Sequence, residues 1–499
     1  MNSELGTIVA GLSKSRIISW KQCPRKLWLQ INSPDLLEEA STNKQIFQAG
    51  NDVGEVAREL YPDGILISDE NLRDALESTR RALIQRPIRP IFEATFQHDG
   101  VLVKADLLLP ARKGYRMVEV KSSASVKTYH IDDCAIQAWV LQQVGIPLCS
   151  IELAHIDTSF VYRGDGDYKG LFRHANLDNE VSSLIESVPE WVAGARHALS
   201  GEEPCIEPGS QCNAPFECSF TDYCNKDKLR PEYTLDIFPR MTGKRKQELQ
   251  EMGFEDALNV PEEYLNDTQQ RVQRISRMES AELDPEAGKI LGSLPYPRYY
   301  LDFETINFAV PRWPNTSPYG TQMTFQWSCH IEEAPCVLRH GMFLDVSGAD
   351  PRRACAESLV EILGIDGPIF VYNQSFEKGR IAEMAELFPD LAAGLHAIND
   401  RIVDLLPIAR AHYYHPDMKG SWSIKAVLPT VAPELDYSIL TVGNGGDAQE
   451  AYKEIIHPET SIERREMLIE GLREYCKLDT LAMVKLAWHF QGIGDKNVA

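Results

Sequence analysis

Eight residues in the second half of the chain, Arg298–Thr305, read RYYLDFET. The apolar, β-prone run Tyr299–Leu301 predicts a strand that carries Asp302 and Glu304 two residues apart, and on a strand that spacing puts both carboxylates on one face. Burying such a strand forces like charges together. The ordinary way to offset their repulsion is a divalent cation such as Mg²⁺ or Mn²⁺, which binds hard oxygen ligands. An Asp-x-Glu pair also serves as a plain solvated strand edge, so the choice rests on what the rest of the chain places with it.

At 499 residues the chain exceeds a single hydrophobic core and is expected to form two to four units. No run approaches the roughly 18 apolar residues of a membrane span, and Met1–Gly11 lacks the basic start and apolar core of a signal peptide. The expectation is a cytoplasmic protein without a membrane partner. A net charge of -22 argues against non-specific adhesion to polyanions, so a nucleic-acid partner would be met by local basic patches and metal ions. Eleven cysteines in a cytosolic chain point away from a disulfide framework, and clustered ones point to a metal site.

In the first third, Phe92–Phe96 and Val101–Ala105 alternate around Asp99-Gly100, a strong hairpin signal, and the second strand ends at Asp106. A third strand, Arg116–Val120, carries Glu119 and Lys121 on one face. Asp106 and Glu119 can hold a divalent ion, the Val120 carbonyl can complete its shell, and Lys121 can orient water or stabilise phosphate charge. A surface strand with a Glu/Lys pair is the plain alternative. Glu93 lies on the first strand of this meander, and Gln137 on the helix expected over Asp133–Gly145.

These residues resemble the RecB-like branch of the PD-(D/E)XK nucleases. The likeness is carried by CPRKLWL at Cys23–Leu29, Glu93, the KAD ending in Asp106, EVKSS at Glu119–Ser123, and DDCAIQAWVL with Gln137. Many members place a histidine in the helix before the sheet, whereas Ala49–Ala57 reads AGNDVGEVA. Downstream, Cys205, Cys212, Cys218 and Cys224 fall within twenty residues among Pro and Gly turns, a pattern that favours a metal site, with spacings wider than zinc knuckles. Iron-sulfur members of the RecB-like branch close a [4Fe-4S] cluster with one cysteine before the nuclease core and three after it. The resemblance implies Cys23 with Cys212, Cys218 and Cys224, leaves Cys205 over, and makes zinc the lesser choice.

Thr234–Ser293 is charged and helical in pattern without a strand signal, and Met241–Val260 resembles a helix-hairpin-helix, a phosphate-backbone gripper, or equally a charged linker. Further strands are expected over Met323–Cys329, Val337–Leu344 and Pro368–Tyr372, with helices over Pro351–Leu363 and Ile462–His489. Glu377 falls where a strand yields to a helix, and Tyr475 and Asp479, four apart, share one face of the last helix.

Asp302, Glu304, Glu377 and Asp479, with Tyr475, are similar in order and spacing to the DEDD exonucleases of the DnaQ-like, RNase H-fold class, tyrosine subtype, over about Pro295–Gly492. The resemblance implies that the four acids hold two metal ions about 4 Å apart and that the tyrosine positions the attacking water. Glu377 stands where the family carries Asp, a methylene shorter. Asp404 resembles a segment that follows motif two and is read as structural.

Nearly end to end, including YYLDFETI and the GSWSIKAVLP of Gly420–Pro429, the chain resembles a bacterial family of uncharacterised two-part proteins. The implied architecture is α/β throughout: a RecB-like PD-(D/E)XK domain over 1–230, a helical connector over 231–293, and an RNase H-like DEDD domain over 294–499. The implied function is a metal-dependent nuclease acting on DNA ends or single strands, its C-terminal centre a 3'-to-5' exonuclease type. The alternatives are a ribonuclease, or a nucleic-acid-binding or scaffold protein with one or both centres degenerate.

Overall fold

The computed structural model describes residues 11–37, 41–226, 231–437 and 440–493, with backbone only over 41–48; the leader reading of Met1–Gly11 lies outside them except for Gly11. The chain is mixed α/β and divides into two compact units, one of residues 1–228 with 307–321, the other of 229–306 with 322–499. The first unit thus takes back fifteen residues, Asn307–Thr321, from the middle of the second.

The first unit is built on a seven-stranded mixed sheet. Its strands are β1 (Leu12–Ser13), β2 (Ile65–Leu66), β3 (Ile91–His98), β4 (Val101–Ala111), β5 (Gly114–Lys121), β6 (Leu148–Ile156) and β7 (Phe172–Asn176). They run in the order β2-β3-β4-β5-β6-β7, with β1 parallel to β4. The β3–β4 turn is the one read from Asp99-Gly100: both residues take positive φ, 45° and 67°, as a two-residue hairpin turn requires. The stretch Ser13–Gln30 falls in two helices, Lys14–Gln22 and Pro24–Asn32, because Cys23 is extended ahead of Pro24. The helix read over Asp133–Gly145 runs over Thr128–Gln143 and packs its apolar residues on β3, β4 and β6.

The excursion 307–321 is part of this unit's core. Ala309 is buried with Val53, Val56, Ile156 and Leu171, and Tyr319 packs beside them. Tyr168 Oη donates to the Pro311 carbonyl at 2.9 Å and Tyr319 Oη to the Ser122 carbonyl at 2.6 Å, directly after Lys121.

In the second unit a two-residue strand, β8 (Glu282–Leu283), pairs with β14 (Tyr413–Tyr414). The main sheet has β9 (Arg298–Ile306), β10 (Met323–Ala334), β11 (Val337–Leu344), β12 (Ile369–Val371) and β13 (Ile402–Asp404) in the order β11-β10-β9-β12-β13. The first three strands are antiparallel, and β9, β12 and β13 are parallel. Alternation along β9 sorts its side chains. Tyr299, Leu301 and Phe303 pack with the helices Arg352–Leu363, Gln374–Leu387 and Ala392–Asp400, while Tyr300 faces the opposite core. Asp302 and Glu304 share the Tyr300 face by the period of two. That face carries the 29-residue helix Ile462–Phe490, clamped where Trp488 Nε1 donates to Glu332 Oε1 at 2.8 Å.

The segment 231–293 differs from a free connector. Tyr233, Leu235, Phe238, Leu249, Val272 and Leu291 are buried in one core with Tyr300, Phe370 and Met483, so it is a structural layer of the second unit. The helix-hairpin-helix expectation fails on its second half: after Gly243–Glu251 and a turn at Gly253 (φ 92°) comes a single 3₁₀ turn, Ala257–Asn259. Its strand-free reading also needs correcting at β8.

Candidate active sites

The second unit's acids converge from three elements. Asp302 and Glu304 stand on β9, opposite Ser328 and Gln326 of β10. Glu377 occupies the first turn of the helix Gln374–Leu387, which follows β12 through Asn373 in the left-handed region (φ 82°). Asp404 fixes that turn by accepting from the N–H groups of Asn373 at 2.9 Å and Gln374 at 3.1 Å, in line with its structural reading. Asp479 and Tyr475 reach in from the long C-terminal helix, both buried. The site lies where parallel pairing on one side of β9 gives way to antiparallel pairing on the other, just past Tyr300, where the parallel pairing with β12 ends.

Electrostatics mark it as short of positive charge. Burial, reinforced by Asp479, Glu304 and Glu377, holds the Asp302 carboxyl well above the usual range. Burial with Asp479 pushes Glu304 up to about 8, and burial with Asp404 pushes Glu377 up to about 8. Asp479 is raised by burial only to about 6, because Tyr437, Lys425 and Tyr475 favour its charged form. Glu377 Oε2 is buried without a hydrogen-bond partner, the kind of orphan that a cation would satisfy. Asp302, Glu304 and Cys476 offer ligand atoms within 4.8 Å of one another. Hard carboxylate oxygens from three elements with an orphan lone pair fit Mg²⁺ or Mn²⁺, while the Cys476 thiol, driven up by burial and the surrounding acids, adds little to such a set.

Sequence reasoning missed Tyr437, Lys425 and Cys476 here. Tyr437 Oη donates to Asp479 Oδ1 at 2.5 Å. Lys425 Nζ donates to the Gly443 carbonyl at 2.8 Å and lies 5.1 Å from the ring centroids of both Tyr437 and Tyr475. Cys476 and Asp479 are three apart on a helix, a signal that was available; Lys425 lay inside the GSWSIKAVLP stretch without a role.

In the first unit the β4–β5 ladder ends at Leu107–Val118, and the next residues, Asp106 and Glu119, flank the opening. Asp106 Oδ2 accepts the Val120 N–H at 2.7 Å. Lys121 Nζ donates to Glu119 Oε1 at 2.6 Å and to Asp133 Oδ2 at 2.8 Å, and Gln137 Nε2 donates to Glu119 Oε2 at 2.7 Å. Lys14 Nζ meets the same Glu119 Oε1 at 2.7 Å. Glu93, in the left-handed region (φ 54°), falls between the Phe92–Leu107 and Ala94–Ala105 pairs, on a level with Asp106, and ion-pairs with Arg58 at 3.8 Å.

Burial alone would raise Glu119, but Lys121 and Lys14 outweigh it and hold that carboxyl well below the usual range. Burial, with Glu119 alongside, pushes Asp106 up to about 8. Lys14 and Asp133 were missed from sequence. Asp133 is one helical turn before Gln137 and so predictably on its face, whereas nothing in the sequence ties Lys14 to residues a hundred positions away.

Cys23, Cys212, Cys218 and Cys224 line one cleft with Arg25 and Lys26, and Cys205 is exposed and outside it. Gln22 Nε2 bridges to the carbonyls of Gln211 at 2.8 Å and Phe216 at 2.6 Å, which brings Cys23 to the other three. Burial, and after it the neighbouring sulfurs, raise the Cys218 and Cys224 thiols against the nearby Lys26 and Arg25. Four thiols gathered in one cleft make a soft donor set of the kind that holds either zinc or an iron-sulfur cluster.

Residues 299–423 match a family described as a domain of unknown function (DUF2779). The matched stretch holds Asp302, Glu304 and Glu377 and stops before Tyr475 and Asp479. An uncharacterised protein of Ureaplasma parvum is 27% identical over 232 residues, 42% of this chain and 33% of the relative. An uncharacterised protein of Mycoplasma genitalium is 26% identical over 220 residues, 40% of this chain and 33% of the relative. The matching region thus spans about a third of the length of these relatives.

Proposed function

We propose that the chain is a metal-dependent nuclease that hydrolyses phosphodiester bonds of DNA ends or single strands, with its principal centre on β9 of an RNase H-like second unit. The observation that carries this reading is the convergence of Asp302, Glu304, Glu377 and Asp479 in a buried pocket with little opposing positive charge. Asp302, Glu304, Glu377 and Asp479 would hold Mg²⁺ or Mn²⁺, which when bound would supply charge neutralisation and an acidified water. Tyr475 and Tyr437, held beside Asp479, orient what enters between the acids and the aromatic rings. Lys425 at the rim offers a cation to a phosphate oxygen.

The first unit, in this reading a PD-(D/E)XK domain, supplies its own centre, the first along the chain, through Asp106, Glu119, Lys121 and Gln137, with Glu93 at its edge. Cys23, Cys212, Cys218 and Cys224 would hold a [4Fe-4S] cluster that ties the start of this unit to its end and adds folding free energy. Anaerobic protein should then be brown, and Cys23→Ser should bleach it; colourless protein with stoichiometric zinc removes the iron-sulfur assignment.

The function is tested by incubating 5'-labelled and 3'-labelled DNA and RNA single strands with Mg²⁺ or Mn²⁺. Metal-dependent ladders on DNA support the proposal, ladders on RNA alone make the chain a ribonuclease, and intact strands under every condition overturn it. A second reading has one specific observation in its favour: two lysines already neutralise Glu119, as expected of a degenerate first centre that binds nucleic acid without cutting it.

A further inference from the structure

Both oxygens of Glu119 are already taken. Oε1 accepts from Lys14 and Lys121 at 2.7 and 2.6 Å, and Oε2 accepts from Gln137 at 2.7 Å. Glu119 is 1% exposed, so bulk water cannot replace a lost partner freely. For this carboxylate to ligate a cation, a donor has to leave. Gln137 is fully buried, and Lys121 is held between Glu119 and Asp133. Lys14 is as exposed as Lys121, 23% against 25% at the side chain, but it belongs to a different element, the first residue of the helix Lys14–Gln22, and meets Asp133 only at 3.6 Å where Lys121 meets it at 2.8 Å.

We propose that Lys14 is a displaceable counter-ion, which holds Glu119 in the cation-free protein and is evicted when a divalent ion enters the first centre. The inference rests on the reading of Asp106 and Glu119 as metal ligands. Charge balance gives it its direction. Asp106, Glu119 and Asp133 against Lys14 and Lys121 leave one net negative charge when all are ionised. Adding a divalent ion with both lysines in place leaves one net positive charge in a buried pocket; with Lys14 gone the pocket is neutral.

The helix itself is pinned at its far end, where Gln22 bonds to Gln211 and Phe216 and Lys21 pairs with Asp132 at 2.6 Å. Eviction is therefore a swing of the four-carbon Lys14 stem about a fixed backbone.

The test uses full-length protein carrying Asp302→Asn and Glu304→Gln, which silence the second centre with isosteric neutral groups, and measures Mn²⁺ affinity by calorimetry. Lys14→Met, which keeps the stem's bulk, is expected to tighten Mn²⁺ binding about tenfold. Lys14→Arg, whose forked head grips carboxylates more firmly, is expected to weaken it. Mn²⁺ binding that is abolished by Asp106→Asn but indifferent to both Lys14 variants overturns this inference alone. Absence of Mn²⁺ binding at the first centre in every variant overturns it together with the metal reading of Asp106 and Glu119. Should Lys14→Met fail to fold by circular dichroism, the Arg variant decides: unchanged or tighter binding there overturns the counter-ion role.

Discussion

The two carboxylate centres solve one electrostatic problem in opposite ways. The first sets Lys14 and Lys121 against Asp106, Glu119 and Asp133, so that Glu119 stays ionised on internal partners, although Asp133 Oδ1 and Gln137 Oε1 are left without one. The second gathers four acids opposed by the Lys425 cation and by hydrogen bonds from neutral groups such as Tyr437, and pushes Glu304 and Glu377 up to about 8. In a centre largely balanced by its own lysines, a cation has to compete with them for Glu119. A centre left unbalanced stores a standing demand for a cation, because burying unpaired carboxylates is costly and a bound ion repays it.

The comparison breaks most visibly at Asp302. Asp302→Ala is expected to reduce Mn²⁺-dependent strand degradation by the second centre at least 100-fold, since a cation-demanding site loses a bridging acid. Rates unchanged at saturating Mn²⁺ would show that the acid cluster is not the seat of activity. Against that background, Lys121→Ala should remove about 100-fold of whatever cleavage remains, because the first centre's chemistry is separable. Residual activity identical with and without Lys121 would assign that centre a binding role alone.

Acidity sharpens the contrast without any substrate. In chelator-treated protein the folded-state pKa values of Glu304, Glu377 and Asp479 lie above their ordinary values, so the native second unit binds more protons than its unfolded chain between about pH 4.5 and 8. Its stability is full below that window and falls as pH rises through it, by on the order of a few kcal/mol, and Mn²⁺ restores it. The first unit should respond less steeply, since Glu119 is lowered while Asp106 is raised. Urea midpoints between pH 5 and 8, followed by tryptophan fluorescence with and without Mn²⁺, measure both; a chelated second unit that gains stability with pH contradicts the acid-cluster account. The smallest effect belongs to Tyr475→Phe, which removes one hydroxyl and no ligand. Turnover should fall roughly tenfold with Mn²⁺ affinity unchanged, and a parallel loss of affinity would make Tyr475 part of the metal site.

What the sequence made legible follows from range. Asp302 and Glu304 share a face because a strand has a period of two, and Tyr475 and Asp479 share one because a helix has 3.6 residues per turn; both readings survive in the fold. The Asp99-Gly100 hairpin was equally local. Lys14, which meets Glu119 across 105 positions, was not legible, since the contact depends on how helix and sheet pack. Nor was the layer over 231–293: its charged surface reads as linker, while the buried Leu235, Leu249, Val272 and Leu291 are spaced too irregularly among 3₁₀ turns to show one periodic face.

The return of residues 307–321 to the first unit sets an order of events during synthesis. An N-terminal domain ordinarily folds as soon as its own last residue clears the ribosome. Here the cluster around Val53, Val56 and Ile156 waits for Ala309, and the Ser122 carbonyl waits for Tyr319. The first unit's main segment ends at residue 228 and its missing piece begins at 307, a gap of 78 residues. At roughly 5–20 residues per second that is about 4–16 seconds in which the nascent first unit exposes an unfinished apolar face. During that wait the chain makes the whole 229–306 layer and β9 with it, so the strand that bears Asp302 and Glu304 is always synthesised before the first unit's core can be completed.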